Sequence, residues 1–180
     1  MNTQILKFGS TLFVSFLLLG TALHAQQDKS QRPSPPDSVS GKIGAAKVSV
    51  NYSSPSVKGR QIFGGLEPYG KAWRAGANEA TIFTTDKSLK VEGKDLPAGS
   101  YSLFMVPGEK EWQVIFNKQT GQWGVKRSGE ANFDPANNAL VVNVKPRKSQ
   151  QLTERLKYDV NGKAVVLRWE NVEVPIAVKQ

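Results

Sequence analysis

Cysteine is missing from this 180-residue chain, and its only histidine is His24. His24 falls within the first 25 residues, MNTQILKFGSTLFVSFLLLGTALHA, which have the make-up of an export leader. Lys7 provides the positive start, Thr11 to Leu19 the short apolar core, and Ala22 or Ala25 the small residue before cleavage. Cleavage after Ala25 is favoured because Gln26 begins a polar stretch. The exported chain then has neither histidine nor cysteine. That excludes Ser-His-Asp and Cys-His triads and thiol redox chemistry. It also removes the imidazole and thiolate ligands on which zinc and copper sites depend. Carboxylate, carbonyl and hydroxyl chemistry is what remains. No metal or cofactor is expected.

Other absences narrow the class further. The apolar run of the leader is shorter than the about 20 residues an ordinary membrane-crossing helix requires, and no cysteine is present to carry a lipid anchor. No segment has helical periodicity over ten or more residues, and no glycine-rich phosphate loop of dinucleotide or P-loop spacing occurs. Without disulfides, stability has to come from a packed core. A domain of roughly 150 residues can build one, burying about 68–70% of its unfolded surface.

Positive charge is present in excess. Without Lys7, residues 26–180 hold 23 basic and 15 acidic side chains, a net charge of +8. Such a balance favours anionic surroundings. Export argues against nucleic acid, and the basic run Lys145-Pro146-Arg147-Lys148 lacks interleaved aromatics. Anionic polysaccharide, lipopolysaccharide or the envelope surface are the partners expected, with a merely solvated basic surface as the plain alternative.

Residues 26–42, QQDKSQRPSPPDSVSGK, are poor in large apolar side chains and read as a flexible, disordered tether. From Ile43 to Gln180 the period is mostly two, broken at short intervals by turn residues. KVSVNY, EATIFTT, SLKVE, SYSLFMV, EWQVIFNK, ALVVNVK, RLKYDV, KAVVLRW and VEVPIAV are the candidate strands. Asn161-Gly162 marks a hairpin, and Pro175 marks the last strand as an edge or an end. The fold class expected is all-β: a single antiparallel β-sandwich or jelly-roll-like barrel of about nine strands over residues 43–180.

The blocks SSPSVKGRQIFGGLEPYGKAWRAGANEAT, LPAGSYSLFMVPGEKEWQVIFNK and VLRWENVEVPI, in that order, resemble one secreted bacterial family, the domain of unknown function 2911. The likeness runs from Lys47 to Ile176. It implies an exported β-rich domain of Gram-negative bacteria, periplasmic or extracellular, and it carries no activity with it.

The densest chemistry lies in residues 58–79 and near Trp123. Arg74, Asn78 and Glu79 flank Gly76, and a turn there brings a guanidinium fork, an amide and a carboxylate together. With Arg60 they can orient an anionic or hydroxyl-rich ligand, while Trp73 and Trp123 offer stacking faces. The structural alternative is that Arg74 pairs with Glu79, Asn78 holds a left-handed turn and Trp73 fills the core. Lys58-Gly59-Arg60, with Lys71 and Arg74, has the make-up of an anion cradle. A carboxylate-only glycosidase would draw on Glu67, Glu79 or Glu170, and needs two acids about 5–5.5 or 6.5–9.5 Å apart. Residues 132–138 are rich in side-chain oxygen but match no calcium loop. Trp112 and Trp169 sit within strands and read as core. The reading favoured is a binding or interaction module rather than an enzyme, with the hydrolase and a purely structural envelope protein as alternatives.

Overall fold

The computed structural model describes residues 28–180. The expected leader, both of its cleavage points and the first two tether residues lie outside the described residues. Ten strands form two antiparallel sheets. Six strands make the larger sheet: β1 (Pro36–Ile43), β2 (Ala46–Ser53), β3 (Thr81–Thr85), β6 (Gly99–Val106), β7 (Trp112–Asn117) and β8 (Asn138–Val144), adjacent in that order. The smaller sheet has the order β5 (Lys94–Leu96), β4 (Leu89–Val91), β10 (Ala164–Lys179) and β9 (Arg147–Val160). Of the two architectures expected, the sandwich is the one formed.

Period-two patterning makes the inner faces apolar. Val48 and Val50 of β2, Phe83 of β3, Leu103 and Met105 of β6, and Trp112, Val114 and Phe116 of β7 meet Leu156, Tyr158, Leu167, Trp169 and Ile176 of the smaller sheet. Phe63, from the chain between β2 and β3, inserts among them. Its ring lies edge-on to Trp73, Trp112 and Trp169, with centroids 5.9, 4.6 and 5.9 Å away. Trp112 and Trp169 are core, as expected.

The strand count differs from the sequence pattern in three places. KAVVLRW and VEVPIAV form one strand, β10, although Val165, Leu167 and Trp169 point inward on odd numbers and Val174, Ile176 and Val178 on even ones. Irregular register against β9 around Glu170, whose φ is +55°, supplies the change of parity. Pro175 falls between the stretch of β10 paired with β9 and the stretch paired with β4, so its missing N–H breaks neither ladder. Residues 94–96, outside the candidate strands, form the short strand β5 against β4.

The third difference corrects the tether. Residues 36–43 form β1 and pair with β2 from Pro36↔Ser53 to Ile43↔Ala46. An edge strand needs little apolar surface, and only Ile43 of β1 is buried. Its hold comes from the backbone ladder and from closeness to β9, where a Cβ on Gly41 would meet Val160 Cγ1 at 2.8 Å and the Val160 carbonyl oxygen at 3.3 Å. Upstream, Asp28 caps a three-residue 3-10 turn, Lys29–Gln31.

Candidate functional site

Two long connections meet beside the larger sheet: residues 54–80 between β2 and β3, and residues 118–137 between β7 and β8. The first begins beside β9, where the Val57 amide donates to the Glu154 carbonyl (2.8 Å). It enters the core at Ile62 and Phe63 and turns back at Gly64, then pairs Trp73 with Met105 of β6 through two backbone bonds of 2.7 and 2.9 Å. The second joins it through bonds from the Ala80 amide to the Gln122 carbonyl (3.0 Å) and from the Gly124 amide to the Asn78 carbonyl (2.9 Å). Backbone bonds therefore hold the two segments together.

The six side chains expected there are divided by the fold. Trp73 is no stacking surface: it is 4% exposed, stacks on Trp169 at 5.7 Å and donates from Nε1 to the Gly76 carbonyl (3.0 Å). The chain has to enter the core here, and an indole is the largest plug it has. Trp123 is 48% exposed and bridges Glu79 through the backbone. Arg74 does not pair with Glu79. Its stem crosses Gly124 so closely that a Cβ there would overlap Arg74 Cδ. Arg74 Nε is buried and has no hydrogen-bond partner among the described residues.

Glu79 is held instead by the N-terminal segment. Arg32 Nη1 donates to both of its oxygens at 3.0 Å, and Lys29 Nζ lies 3.0 Å away. Burial raises the Glu79 carboxyl, but its own amide, Lys29 and Arg32 outweigh that and hold it at about 2. Asn78, with φ +59°, takes the left-handed turn expected of it and donates from Nδ2 to the Ser34 carbonyl (2.8 Å). Residues 28–35 thus form a strap across the junction. Arg60 points back to its own turn, with Nε on the Val57 carbonyl (3.0 Å) and Nη2 on the Ser56 carbonyl (2.6 Å). Two buried hydroxyls, Tyr158 (2.7 Å) and Thr81 (3.0 Å), donate to the carbonyl of Ala75, whose φ is +53°.

Beside this locked junction a cleft of about 650 Å³ opens between residues 66–72 and 126–135. One wall carries Leu66, Glu67 and Lys71, the other Lys126, Glu130 and Phe133. A small hairpin closed by the Val125↔Ala131 bridge supplies the second wall. Phe133 stacks on Phe104 of β6 at 4.6 Å, which ties that wall to the sheet.

Glu67 is the unusual group of this cleft. Burial lifts its carboxyl to about 7 against the opposing pull of Arg74 and Arg60. Burial likewise lowers Arg74, which Glu67 partly offsets. The Glu67 oxygens accept no hydrogen bond and form no ion pair of 4.0 Å or less among the described residues. A half-buried acid lining a cleft without a protein partner has acceptor capacity left for a ligand.

The other acids considered have structural work. Glu170 Oε1 accepts from the Ile62 amide (3.4 Å). Asp134 caps the 3-10 turn Pro135–Asn137, and Asn117 Nδ2 ties Asp134 to Asn138. The basic cradle is split, with Lys71 in the cleft, Arg74 under Gly124, and Lys58 and Arg60 in a separate hollow. Sequence reasoning named Glu67 and Lys71 but missed Lys126, Glu130 and Phe133 as cleft residues and Arg32 as the partner of Glu79. None of these stands out locally. Arg32 sits in a Pro- and Ser-rich stretch, and Phe133 is flanked by ordinary turn residues.

The model of one family, described as Protein of unknown function (DUF2911), matches residues 34–178. That match begins two residues before β1, upstream of the boundary read from composition. No curated protein and no solved structure matches the chain.

Proposed function

The chain belongs to the DUF2911 family, and from that premise we propose that it is an exported binding module of the bacterial envelope. Its ligand is hydroxyl-rich and glycan-like, and it occupies the cleft between residues 66–72 and 126–135. The observation that carries the reading is Glu67, a half-buried carboxylate on the cleft wall with no hydrogen-bond or ion-pair partner among the described residues. Ligand hydroxyls would supply the hydrogen bonds the fold withholds, Phe133 and Leu66 the apolar contact for a sugar's C–H face, and Lys71 and Lys126 donors at the mouth. The apolar leader core Thr11–Leu19 supports export to the periplasm or beyond, and the net charge of +8 suits an anionic surface there.

A thermal-shift screen against envelope saccharides tests this, since a ligand selective for the folded state raises the melting temperature. A shift is expected for at least one saccharide, reduced at least tenfold in affinity by Glu67→Ala. If no saccharide moves the wild-type midpoint, the binding reading fails and a structural envelope role takes its place.

One observation favours a second reading. An acid at about 7 faces a cleft whose other wall carries Glu130, and glycoside hydrolysis uses two carboxyl groups in this way. Glu79, held at about 2, is unsuited to donate a proton near neutrality. Turnover of nitrophenyl glycosides, lost in both Glu67→Gln and Glu130→Gln, would establish the hydrolase. Binding without turnover leaves the module.

A further inference from the structure

The geometry points to a second site, with a lining separate from that of the cleft, where Ser34, Ser56, Lys58 and Arg60 bind a phosphate- or sulfate-like oxyanion. These residues and Pro33 line a hollow of about 300 Å³ between the N-terminal strap and the turn that follows Val57. Lys58 and Gly59 both lie in the left-handed region, with φ of 49° and 68°, which folds the chain tightly enough for Lys58 and Arg60 to border one hollow. Two backbone carbonyls, those of Val57 and Ser56, fix the Arg60 guanidinium through Nε and Nη2. Nη1 has no partner among the described residues, and the cation is oriented before any ligand arrives.

The remaining donors are uncommitted. Lys58 Nζ forms no ion pair among the described residues, and neither the Ser34 nor the Ser56 hydroxyl has a hydrogen-bond partner among them. Ser56 is only 9% exposed, so the hollow it lines is the natural outlet for its hydroxyl. Among the described residues no acid lines the hollow. The neighbouring Glu154 is turned to the backbone, where Oε1 accepts from the Lys58 amide (2.9 Å). Two cations and two free hydroxyls make a donor-rich set that matches the three or four acceptor oxygens of an oxyanion. The volume is at the small end for a ligand site, with room for a free anion or for one phosphorylated sugar but not for a chain of sugars. Ser34 belongs to the strap, so a bound anion would tie the strap to the turn.

Titration followed by amide resonances tests this, with inorganic phosphate, glucose 1-phosphate and glucose as probes at matched ionic strength. Both phosphates are expected to shift the amides of Ser34, Ser56, Lys58 and Arg60 saturably, while glucose leaves them in place. Shifts with glucose 1-phosphate alone would identify the oxyanion as a substituent on a sugar. Lys58→Gln, at an exposed position, is expected to weaken binding roughly tenfold. Ser56→Ala should weaken it as well, with an unchanged melting temperature. The site is overturned if neither phosphate gives saturable shifts, or if Lys58→Gln binds with wild-type affinity.

Discussion

At the scale of single residues, Glu67 works against the fold that places it. Its carboxyl ionises at about 7 in the folded chain, against 4.5 as an unperturbed group. Below pH 4.5 both states are protonated and the residue costs nothing. Between 4.5 and 7 the unfolded chain ionises first, so stability falls as pH rises, and above 7 the full penalty stands. Glu67→Gln should therefore raise urea stability at pH 8 by an amount on the order of 1–3 kcal/mol and leave it unchanged at pH 4. Equal effects at both values would show that burial does not perturb the acid. Gly124 enters the same electrostatics, because only a residue without Cβ lets Arg74 pass. Gly124→Ala should push Arg74 aside and raise the Glu67 midpoint above 7 in a carboxyl-carbon NMR titration. An unchanged midpoint would mean that Arg74 keeps its place by another route. The residues of this site were visible in the sequence as a group of unusual composition. Their partners were not, because Arg32 takes Glu79 while Arg74 passes across Gly124, and that choice depends on the paths of separate segments.

At the scale of elements, the N-terminal strap and β1 are the least legible parts. Composition reads residues 26–42 as a tether, yet β1 runs the length of β2 and leans on β9. A methyl group at position 41 has to displace Val160, so Gly41→Ala is expected to cost about 1–3 kcal/mol, measured by urea unfolding. A free tether would tolerate it without loss. The strap ahead of β1 is bound more lightly. Its contacts to Glu79 are partly exposed and together contribute no more than about 1 kcal/mol. The lowered Glu79 carboxyl keeps this contribution in place above pH 4.5, and it disappears as pH falls towards 2. Amide exchange at residues 29–34 should accordingly speed up in Arg32→Gln at pH 7, while exchange in β2 and β3 stays slow. Unchanged exchange in the strap would mean that the Asn78 to Ser34 bond alone secures it. By contrast, β2 follows the sequence closely, since one buried face imposes alternation, while β6 and β7 are legible as apolar runs because both of their faces are covered, with Phe104 and Ile115 in a second cluster.

For the whole molecule, the aromatic cluster around Phe63 joins both sheets to the long β2–β3 connection. Trp112 comes from the larger sheet, Trp169 from the smaller and Trp73 from the connection, and Phe63 touches all three. Phe63→Ala should remove about 3–5 kcal/mol, and tryptophan fluorescence and far-ultraviolet circular dichroism should shift together. A fluorescence transition that precedes the loss of sheet signal would show that the connection melts separately from the sandwich. The same cluster explains why residues 58–80 look like a site from sequence. Gly, Pro, Trp and Arg are needed to carry a chain out of one sheet, through the core and back, whatever the cleft beside it binds.

The sequence alone determined the all-β class and most of the strands, because alternation, turn residues and the lack of helical periodicity are local properties. It also limited the chemistry, because residues that are absent from a chain cannot act. Tertiary structure decided which polar groups are satisfied and which are left open. Arg32 was recruited to Glu79 across 47 residues, and Glu67 was left facing a cleft without a partner among the described residues. Pairings of that kind depend on where loops from distant parts of the chain come to rest, and no local pattern encodes them.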